Sequence, residues 1–381
     1  MIIVSAILQR AKNPFLNWAH LQVGRTTGAM NPVQNELLNW YEKYHRSLPW
    51  RKTSDPYCIW VSEVMLQQTR VQTVIPYYEK FLSVFPSLQM LAESDLQKVL
   101  KCWEGLGYYA RARNLHRATQ EIMTHHGGIV PQDLSSLKAL PGIGDYIAAA
   151  VSSIAFGNPH AVVDGNVKRV LARFHKTDLP INNPAAGKVF KAAADVFLEK
   201  SRPGTFNQAV MELGALVCTP KNPRCNDCPL ARKCVAFKDK VVEEYPRRIK
   251  KARIPEYRVA VGVVWKGSRV LITQRKPEGL LGGLWEFPGG KIQNGETPSD
   301  ACIREINEEV NLVVETEEPI ARIRHAYTHF KIVMDVFRCI YLNGRIKLRG
   351  PVDYKWIRLS EIDRFPFPGA NRKFIPLIKP Q

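Results

Sequence analysis

Four of the chain's eight cysteines lie within residues 218–234, at Cys218, Cys225, Cys228 and Cys234. Disulfides, a zinc site and an iron–sulfur cluster all use closely spaced cysteines. The first residues lack the positively charged segment that precedes the apolar stretch of a secretory signal. We therefore expect a reducing compartment, where disulfides are rare, and zinc and iron–sulfur remain the open alternatives.

A second candidate site is the glycine-rich stretch LPGIG at residues 140–144. Gly142 and Gly144 permit positive φ angles and let backbone approach a ligand closely. Free N–H groups at the start of the next helix form an anion site, so a helix–hairpin–helix here could grip a DNA phosphate without reading sequence. Helix packing alone also explains such a turn, and both interpretations stay open.

Two carboxylates are candidates for acid–base chemistry. Asp164 precedes Gly165 and Asn166, and a basic helix with Lys168 and Arg169 begins near Asn166. An aspartate there is either an N-cap or a catalytic group, and its position alone favours neither. Glu63 lies on an apolar helical stretch, IWVSEVML, where a solvated glutamate is not expected.

The elements that position these residues fall into two classes. From residue 31 to about 240 the apolar residues recur at helical spacing, whereas beyond residue 245 stretches such as RVAVGVVW and RVLITQR alternate with period two, as strands do. We predict an all-α domain at 31–245, a basic linker at 246–256 and an α+β domain at 257–381. Residues 1–30 are expected to be a poorly ordered extension, with Met30 as a candidate start.

The charge of the chain favours a polyanionic partner. Its 381 residues carry 54 Lys and Arg against 35 Asp and Glu, a net charge of +19. Cations that neutralise phosphates release condensed counterions, so nucleic acid is favoured over a basic protein without a specific partner. No stretch reaches membrane-spanning length, and we expect a soluble, cytoplasmic monomer with no membrane partner.

The motifs together resemble a known family. LPGIG followed by VDGNVKRV is similar to the helix–hairpin–helix DNA glycosylases, and C-x6-C-x2-C-x5-C resembles their [4Fe-4S] loop. The stretches LPWR, VSEVMLQQTRVQTVIPYYEKF, WEGLGYYARARNLH and ELGALVC resemble the adenine-specific MutY branch over residues 33–240. The resemblance implies a helix–hairpin–helix glycosylase fold, with the four cysteines holding a [4Fe-4S] cluster that shapes a basic, DNA-facing loop.

Catalytic roles follow from the same resemblance. It implies that Glu63 protonates N7 of adenine as general acid, that Asp164 stays ionised to stabilise an oxocarbenium-like sugar, and that Tyr146 and Asn166 support the sugar and the attacking water. Endonuclease III-like relatives place a Schiff-base lysine where this chain has Tyr146. We therefore expect a monofunctional glycosylase that leaves an intact abasic site.

The target base must leave the duplex to reach these groups. The resemblance implies an adenine pocket formed by Trp50, Arg51, Leu66 and Gln208, although a core role explains Trp50 and Leu66 equally well. It also implies DNA contacts at Gln68, Thr69, Tyr108, Gly142, Gly144 and Lys168.

The C-terminal part, residues 257–378, resembles MutT, the Nudix fold. The resemblance implies lesion recognition by Tyr327, Thr328 and His329, against the alternative of an ordinary strand turn. A nearly complete Nudix box, G-x5-E-x7-REUxEExGU, spans 290–312, with Asn311 in place of its late glycine. Glu305, Glu308 and Glu309 share one helical face that suits Mg²⁺.

These observations predict an adenine glycosylase of bacterial type that acts on adenine opposite 8-oxoguanine or guanine in double-stranded DNA. Two alternatives stay open. In one, the Nudix box also hydrolyses 8-oxo-dGTP, although the acidic residue that MutT-type enzymes carry on a later strand has no clear counterpart. In the other, the chain binds the mispair without cutting, which Glu63 and Asp164 argue against.

Overall fold

A computed structural model describes residues 31–250 and 254–380. The predicted extension 1–30 and part of the predicted linker 246–256 therefore lie outside the described residues. The chain divides into two compact units. Of the described residues, 31–64 and 129–250 belong to the first unit, and 65–128 and 254–380 belong to the second. The C-terminal α+β part thus shares a unit with a helical segment from the middle of the chain.

Helices occupy most of residues 31–245. They are α1 (Pro32–Tyr44), α2 (Pro56–Leu66), α3 (Val71–Val84), α4 (Leu88–Ala92), α5 (Leu96–Trp103), α6 (Ala110–His125), α7 (Leu134–Ala139), α8 (Asp145–Ile154), α9 (Gly165–Phe174), α10 (Ala186–Phe197), α11 (Pro203–Leu216) and α12 (Val235–Lys238). Short 3₁₀ turns lie at Pro49–Arg51, Cys225–Asp227, Ala231–Lys233 and Val242–Glu244.

Side-chain caps set the beginnings of several of these helices. Asn31 accepts from the backbone N–H of Val33 at the start of α1, with Pro32 in the first helical position. Asp133 caps α7 in the same way. Capping oxygens satisfy N–H groups that have no partner within the helix, so these boundaries are encoded locally.

The core of the first unit is formed by apolar faces of α1, α9, α10 and α11. Leu37, Leu171, Phe190 and Leu213 are all nearly inaccessible within it. Burial of such side chains contributes roughly 2 kcal/mol each. This packing fixes α9, which has Asp164 at its start, and α11, which carries Gln208.

The second unit contains, in its described residues, a seven-stranded sheet. The elements beyond residue 254 are β1 (Glu256–Lys266), β2 (Arg269–Gln274), β3 (Trp285–Glu286), β4 (Gly289–Lys291), α13 (Pro298–Val310), β5 (Val313–Ala326), β6 (Lys331–Asn343), β7 (Asp353–Ile357) and α14 (Gly369–Phe374), with 3₁₀ turns at Leu359–Arg364 and Ile375–Leu377. Five strands are neighbours in the order β3-β2-β1-β6-β5, while β4 pairs with β1 and β7 pairs with β2. Strands β1 and β6 are parallel, and β5 and β6 are antiparallel.

Both faces of this sheet are buried. Along β1, Val261 and Val263 point into a core completed by α14, whereas Ala260 and Val264 point into a core completed by α13. The alternation arises because successive strand residues face opposite sides. Helix α13 ends at Asn311, whose φ of 59° is the left-handed conformation that asparagine tolerates next best after glycine.

The predicted fold class, an all-α part followed by an α+β part, is confirmed by this element order. The predicted limits of the domains, 31–245, 246–256 and 257–381, remain a prediction, because the compact units group the chain differently. No helix in the described ranges is long and apolar enough to cross a membrane.

Candidate active site

Glu63 lies on α2 and is 4% exposed. Its Oε2 accepts a 2.5 Å hydrogen bond from the hydroxyl of Tyr146 at the start of α8. Burial raises the pKa of Glu63 to about 7, and the nearby charge of Asp164 raises it as well, whereas the Tyr146 hydrogen bond and Arg51 lower it. A carboxyl group with this pKa is partly protonated near neutral pH and can donate a proton.

Asp164 is the N-cap of α9. Its Oδ1 accepts from the backbone N–H of Val167 at 2.7 Å, and its Oδ2 accepts from the Asn166 amide at 2.8 Å. Burial raises the pKa of Asp164, while these hydrogen bonds and Arg169 lower it. The capping role considered from the sequence is therefore present, and it directs the carboxylate to a position where its charge also acts on Glu63.

Asn166 is held by a residue that the sequence analysis did not assign to the site. Its Oδ1 accepts from the buried guanidinium of Arg169 at 2.7 Å, and Arg169 also donates to the carbonyls of Gly214 and Cys218. A Cβ on Gly214 would lie 2.6 Å from the Cβ of Asn166, so α11 must carry glycine where it passes Asn166. Arg169 is the arginine of the VDGNVKRV motif, so the motif itself could have pointed to this residue.

A second residue that was not assigned from the sequence, Glu212, holds Arg51, one member of the predicted adenine pocket. Glu212 is 1% exposed and accepts hydrogen bonds of 2.7–3.1 Å from the side chains of Arg46 and Arg51. Burial by itself raises the pKa of Glu212, but the arginine hydrogen bonds outweigh it and hold that pKa at about 2. Trp50 is buried next to Arg51 in sequence. Glu212 belongs to the ELGALVC motif. Its role was not predicted because Arg46 and Arg51 are remote from it in sequence.

The hairpin glycines differ in conformation. Gly142 has a φ of +75°, which requires glycine, but Gly144 has a φ of −88° and forms the N-cap of α8. Gly142 thus uses the positive φ that glycine permits, whereas Gly144 does not. Both glycines are exposed and α8 has no side-chain cap, so the N–H groups at its start face an accessible turn.

The four clustered cysteines line one cavity with the buried Arg173. They are free thiols, and burial raises the pKa of Cys228 to about 12 and that of Cys234 to about 11. Arg173 donates to the Cys218 sulfur at 3.4 Å and otherwise to backbone carbonyls. A buried cation is costly without a counter-charge, so an anionic centre held by these thiolates fits the cavity. Among residues 31–250 and 254–380, no three Cys, His, Asp or Glu side chains are arranged to hold a single metal ion.

The predicted DNA-contacting residues are spread over both units. Gly142, Gly144 and the half-buried Lys168 lie in the first unit, and Gln68, Thr69 and Tyr108 lie in the second. Gln68 and Tyr108 have φ angles of 59° and 51°, an unusual conformation for residues with side chains. Both are exposed, and the Tyr108 hydroxyl is hydrogen-bonded to the hydroxyl of Thr328.

The three predicted lesion contacts form the turn between β5 and β6. Tyr327 is half-buried, because its ring packs against His325 at 4.5 Å and Phe330 at 4.9 Å between ring centres. Thr328 and His329 are exposed. The turn therefore uses Tyr327 as a packed anchor and presents the hydroxyl and the imidazole outward.

The predicted Nudix carboxylates do not converge. Arg304 donates to Glu305 at 2.9 Å and to Glu308 at 3.0 Å, whereas Glu309 accepts from the backbone N–H of Gly289. Burial raises the pKa of Glu309 to about 8. The three glutamates share one helical face, as their spacing predicted. Within the described residues, however, their oxygens are not arranged to hold a metal ion.

Comparison with known proteins agrees with both parts of the chain. Residues 61–193 match the family model described as HhH-GPD superfamily base excision DNA repair protein, and residues 260–377 match that of the NUDIX domain. Human adenine DNA glycosylase is 31% identical over 92% of this chain and 74% of its own length. The adenine DNA glycosylase of Buchnera aphidicola subsp. Schizaphis graminum is 37% identical over 66% of this chain and 73% of its own. A solved thermostable thymine-DNA glycosylase matches with a TM-score of 0.50 and 27% identity, over 54% of this chain and 95% of that protein.

Proposed function

The chain belongs to the family of adenine DNA glycosylases, base excision repair enzymes that act on DNA, and from this premise we propose that its substrate is adenine paired with 8-oxoguanine or guanine. The predicted activity, a DNA glycosylase hydrolase specific for adenine, is confirmed by these relatives. We further propose that a single chain acts on chromosomal DNA in the cytoplasm of a bacterial-type cell.

Glu63 is the proposed general acid. Adenine leaves readily only when a proton reduces the charge that builds up on the ring, and N7 is the proposed acceptor. The support is that the Glu63 carboxyl is buried, has a pKa of about 7 and is oriented by the Tyr146 hydroxyl. A carboxyl group whose pKa is about 7 is partly protonated near neutral pH and can donate that proton to the base.

Asp164 is the proposed stabiliser of the positively charged sugar. The backbone N–H of Val167 and the amide of Asn166 donate to its two oxygens, and hydrogen bonds to the charged form favour the carboxylate. Asn166, fixed by Arg169, and Tyr146 are proposed to hold the sugar and the attacking water. Because tyrosine cannot form a Schiff base with the sugar, we propose that the reaction ends at an intact abasic site.

Recognition of the base and of the duplex remains a proposal for the residues named from the sequence. Gln208, Arg51, Trp50 and Leu66 would contact the extruded adenine. The DNA contacts would be Gln68, Thr69, Tyr108, Gly142, Gly144 and Lys168, and the lesion contacts Tyr327, Thr328 and His329. Since Arg304 engages Glu305 and Glu308, we do not add pyrophosphate hydrolysis or a Mg²⁺ site to this proposal.

A [4Fe-4S] cluster is the proposed occupant of the cysteine cavity. A cluster reaches its four thiolates across a larger volume than one zinc ion, which suits thiols that line a cavity without converging on a point. When bound, it would supply structural rigidity and negative charge opposite Arg173. Iron analysis and the visible absorption of the anaerobically purified chain test this, and stoichiometric zinc in place of iron would contradict it.

The observation that carries the catalytic proposal is the buried Glu63 carboxyl, which accepts a hydrogen bond from Tyr146 and whose pKa is raised further by the charge of Asp164. The test incubates a duplex with adenine opposite 8-oxoguanine with wild type and with Asp164→Asn, and then treats it with alkali to break abasic sites. Asparagine keeps an oxygen for the Val167 N–H but loses the charge. We expect excision to fall at least about a hundredfold at unchanged melting temperature. Equal strand scission by both proteins would refute the assignment of Asp164.

A further inference from the structure

Helix α11 presents two polar side chains, Gln208 and Glu212, on one face, since they are one helical turn apart. Glu212 fixes the guanidinium of Arg51 through both of its oxygens. Arg51 in turn lies over the ring of Tyr41, with 5.4 Å between the guanidinium carbon and the ring centre. A chain of contacts thus runs from a buried ion pair to an aromatic residue of α1.

Tyr41 is 6% exposed and is held from two sides, because the His45 ring also stacks on it at 4.7 Å. Its hydroxyl donates to Oε1 of Gln208 at 3.3 Å. Burial raises the pKa of Tyr41, so the phenol is a neutral donor at physiological pH. Gln208 was placed in the adenine pocket from the sequence, whereas Tyr41 was not assigned to the site.

The hydrogen bond has a consequence for recognition, because a glutamine amide carries its acceptor and its two donors on different atoms. With one lone pair of Oε1 engaged by Tyr41, the group of Gln208 that keeps its full hydrogen-bonding capacity for a base is its NH₂. We propose that Tyr41 is a specificity-determining positioning residue, which orients the Gln208 amide so that it offers N–H donors to the extruded base. This inference rests on the proposed function, in which Gln208 contacts adenine.

The acceptor that Gln208 meets follows from the other proposed contact. N7 is the atom that Glu63 protonates, which leaves N1 as the ring acceptor on the Watson–Crick edge. Adenine has a lone pair at N1, whereas hypoxanthine has an N–H there. A donor fixed at this ring position therefore matches the N1 lone pair of adenine and opposes the N1–H of hypoxanthine. An amide that is free to flip can present its oxygen there instead and discriminates less.

The test compares excision of adenine and of hypoxanthine, each opposite guanine in the same duplex, by wild type and Tyr41→Phe. Phenylalanine keeps the ring between His45 and Arg51 and removes the hydroxyl alone. We expect the ratio of kcat/KM for adenine to that for hypoxanthine to fall about tenfold, the size of one hydrogen-bond discrimination. The intrinsic reactivity of the two bases cancels when the ratios of two proteins are compared.

Tyr44→Phe is the matched control, because Tyr44 lies on the same helix and is 55% exposed. It should leave the ratio unchanged. In a Gln208→Ala background, Tyr41→Phe should have no further effect on the ratio if Tyr41 acts through Gln208. An unchanged ratio in Tyr41→Phe, or an equal change with and without Gln208, would overturn the inference. Failure of the proposed function would instead appear as no adenine release by wild type.

Discussion

The hydrogen bond between Tyr146 and Glu63 makes a sharp prediction about pH dependence. This bond stabilises the ionised form of Glu63 and so lowers a pKa that burial alone would set higher. Tyr146→Phe removes the hydroxyl and preserves the ring. The general acid should therefore keep its proton to higher pH, and the alkaline limb of the activity profile should move upward.

The size of the shift follows from the bond that is lost. A hydrogen bond to a charged group contributes about 1.5–3 kcal/mol, and one pKa unit corresponds to about 1.4 kcal/mol. The alkaline limb should thus move from near pH 7 by about one to two units upward. This displacement is separate from any fall in the maximal rate that results if Tyr146 also supports the sugar.

The assay is single-turnover adenine excision from an adenine:8-oxoguanine duplex between about pH 5.5 and 9.5. Tyr245→Phe is the matched control, since the Tyr245 hydroxyl donates to Asp178 at 2.7 Å in the same unit and the substitution removes an equivalent bond. Its profile should coincide with that of wild type. A limb that stays in place, or moves to lower pH, in Tyr146→Phe would refute the assignment of Glu63 as the titrating acid.

Three further predictions concern stability and the cysteine loop. Glu212→Gln should lower the free energy of unfolding, measured in urea at pH 7, by about 3 kcal/mol, because Arg46 and Arg51 lose a buried counter-charge. The partial exposure of Arg46 reduces this loss. The Glu212 pKa of about 2 lies below its ordinary value of 4.5, so this stabilisation is present above pH 4.5 and should be lost as pH falls toward 2 in wild type but not in the variant. Gly214→Ala should lower both melting temperature and excision, since its Cβ would meet Asn166 at 2.6 Å, whereas Gly187→Ala, which meets nothing within 4 Å, should be neutral or stabilising by up to about 1 kcal/mol. Cys228→Ser should lower bound iron and the visible absorption of the purified chain, and an iron content equal to wild type would contradict the proposed cluster.

Much of the fold could be predicted because its signals are local. The period-two pattern of RVAVGVVW located strand β1 correctly, and Asn311, which replaces the late glycine of the Nudix box, lies at the end of α13. The division into compact units could not be predicted, because it depends on which helices the C-terminal part packs against.

The site shows the same limit. Asp164 was recognised as either a cap or a catalyst, and the structure shows the cap and its electrostatic effect on Glu63 together. Glu212 was missed because its arginine partners are 161 and 166 positions away. The Nudix glutamates were in register, and Arg304 contacts Glu305 and Glu308 at sequence separations of one and four. Glu309 instead accepts from Gly289 on β4, a contact that helical spacing does not specify.

The sequence by itself determined the family motifs, the helix caps, the cysteine spacing and the alternation of the strands. Each of these depends on residues within a turn or two of one another, where backbone geometry dictates the outcome. Only the tertiary structure decided the protonation of Glu63, since its partner Tyr146 is 83 residues away and its pKa depends on burial. Electrostatic energies depend on through-space distance and on the local dielectric, and both are set only when the chain is folded.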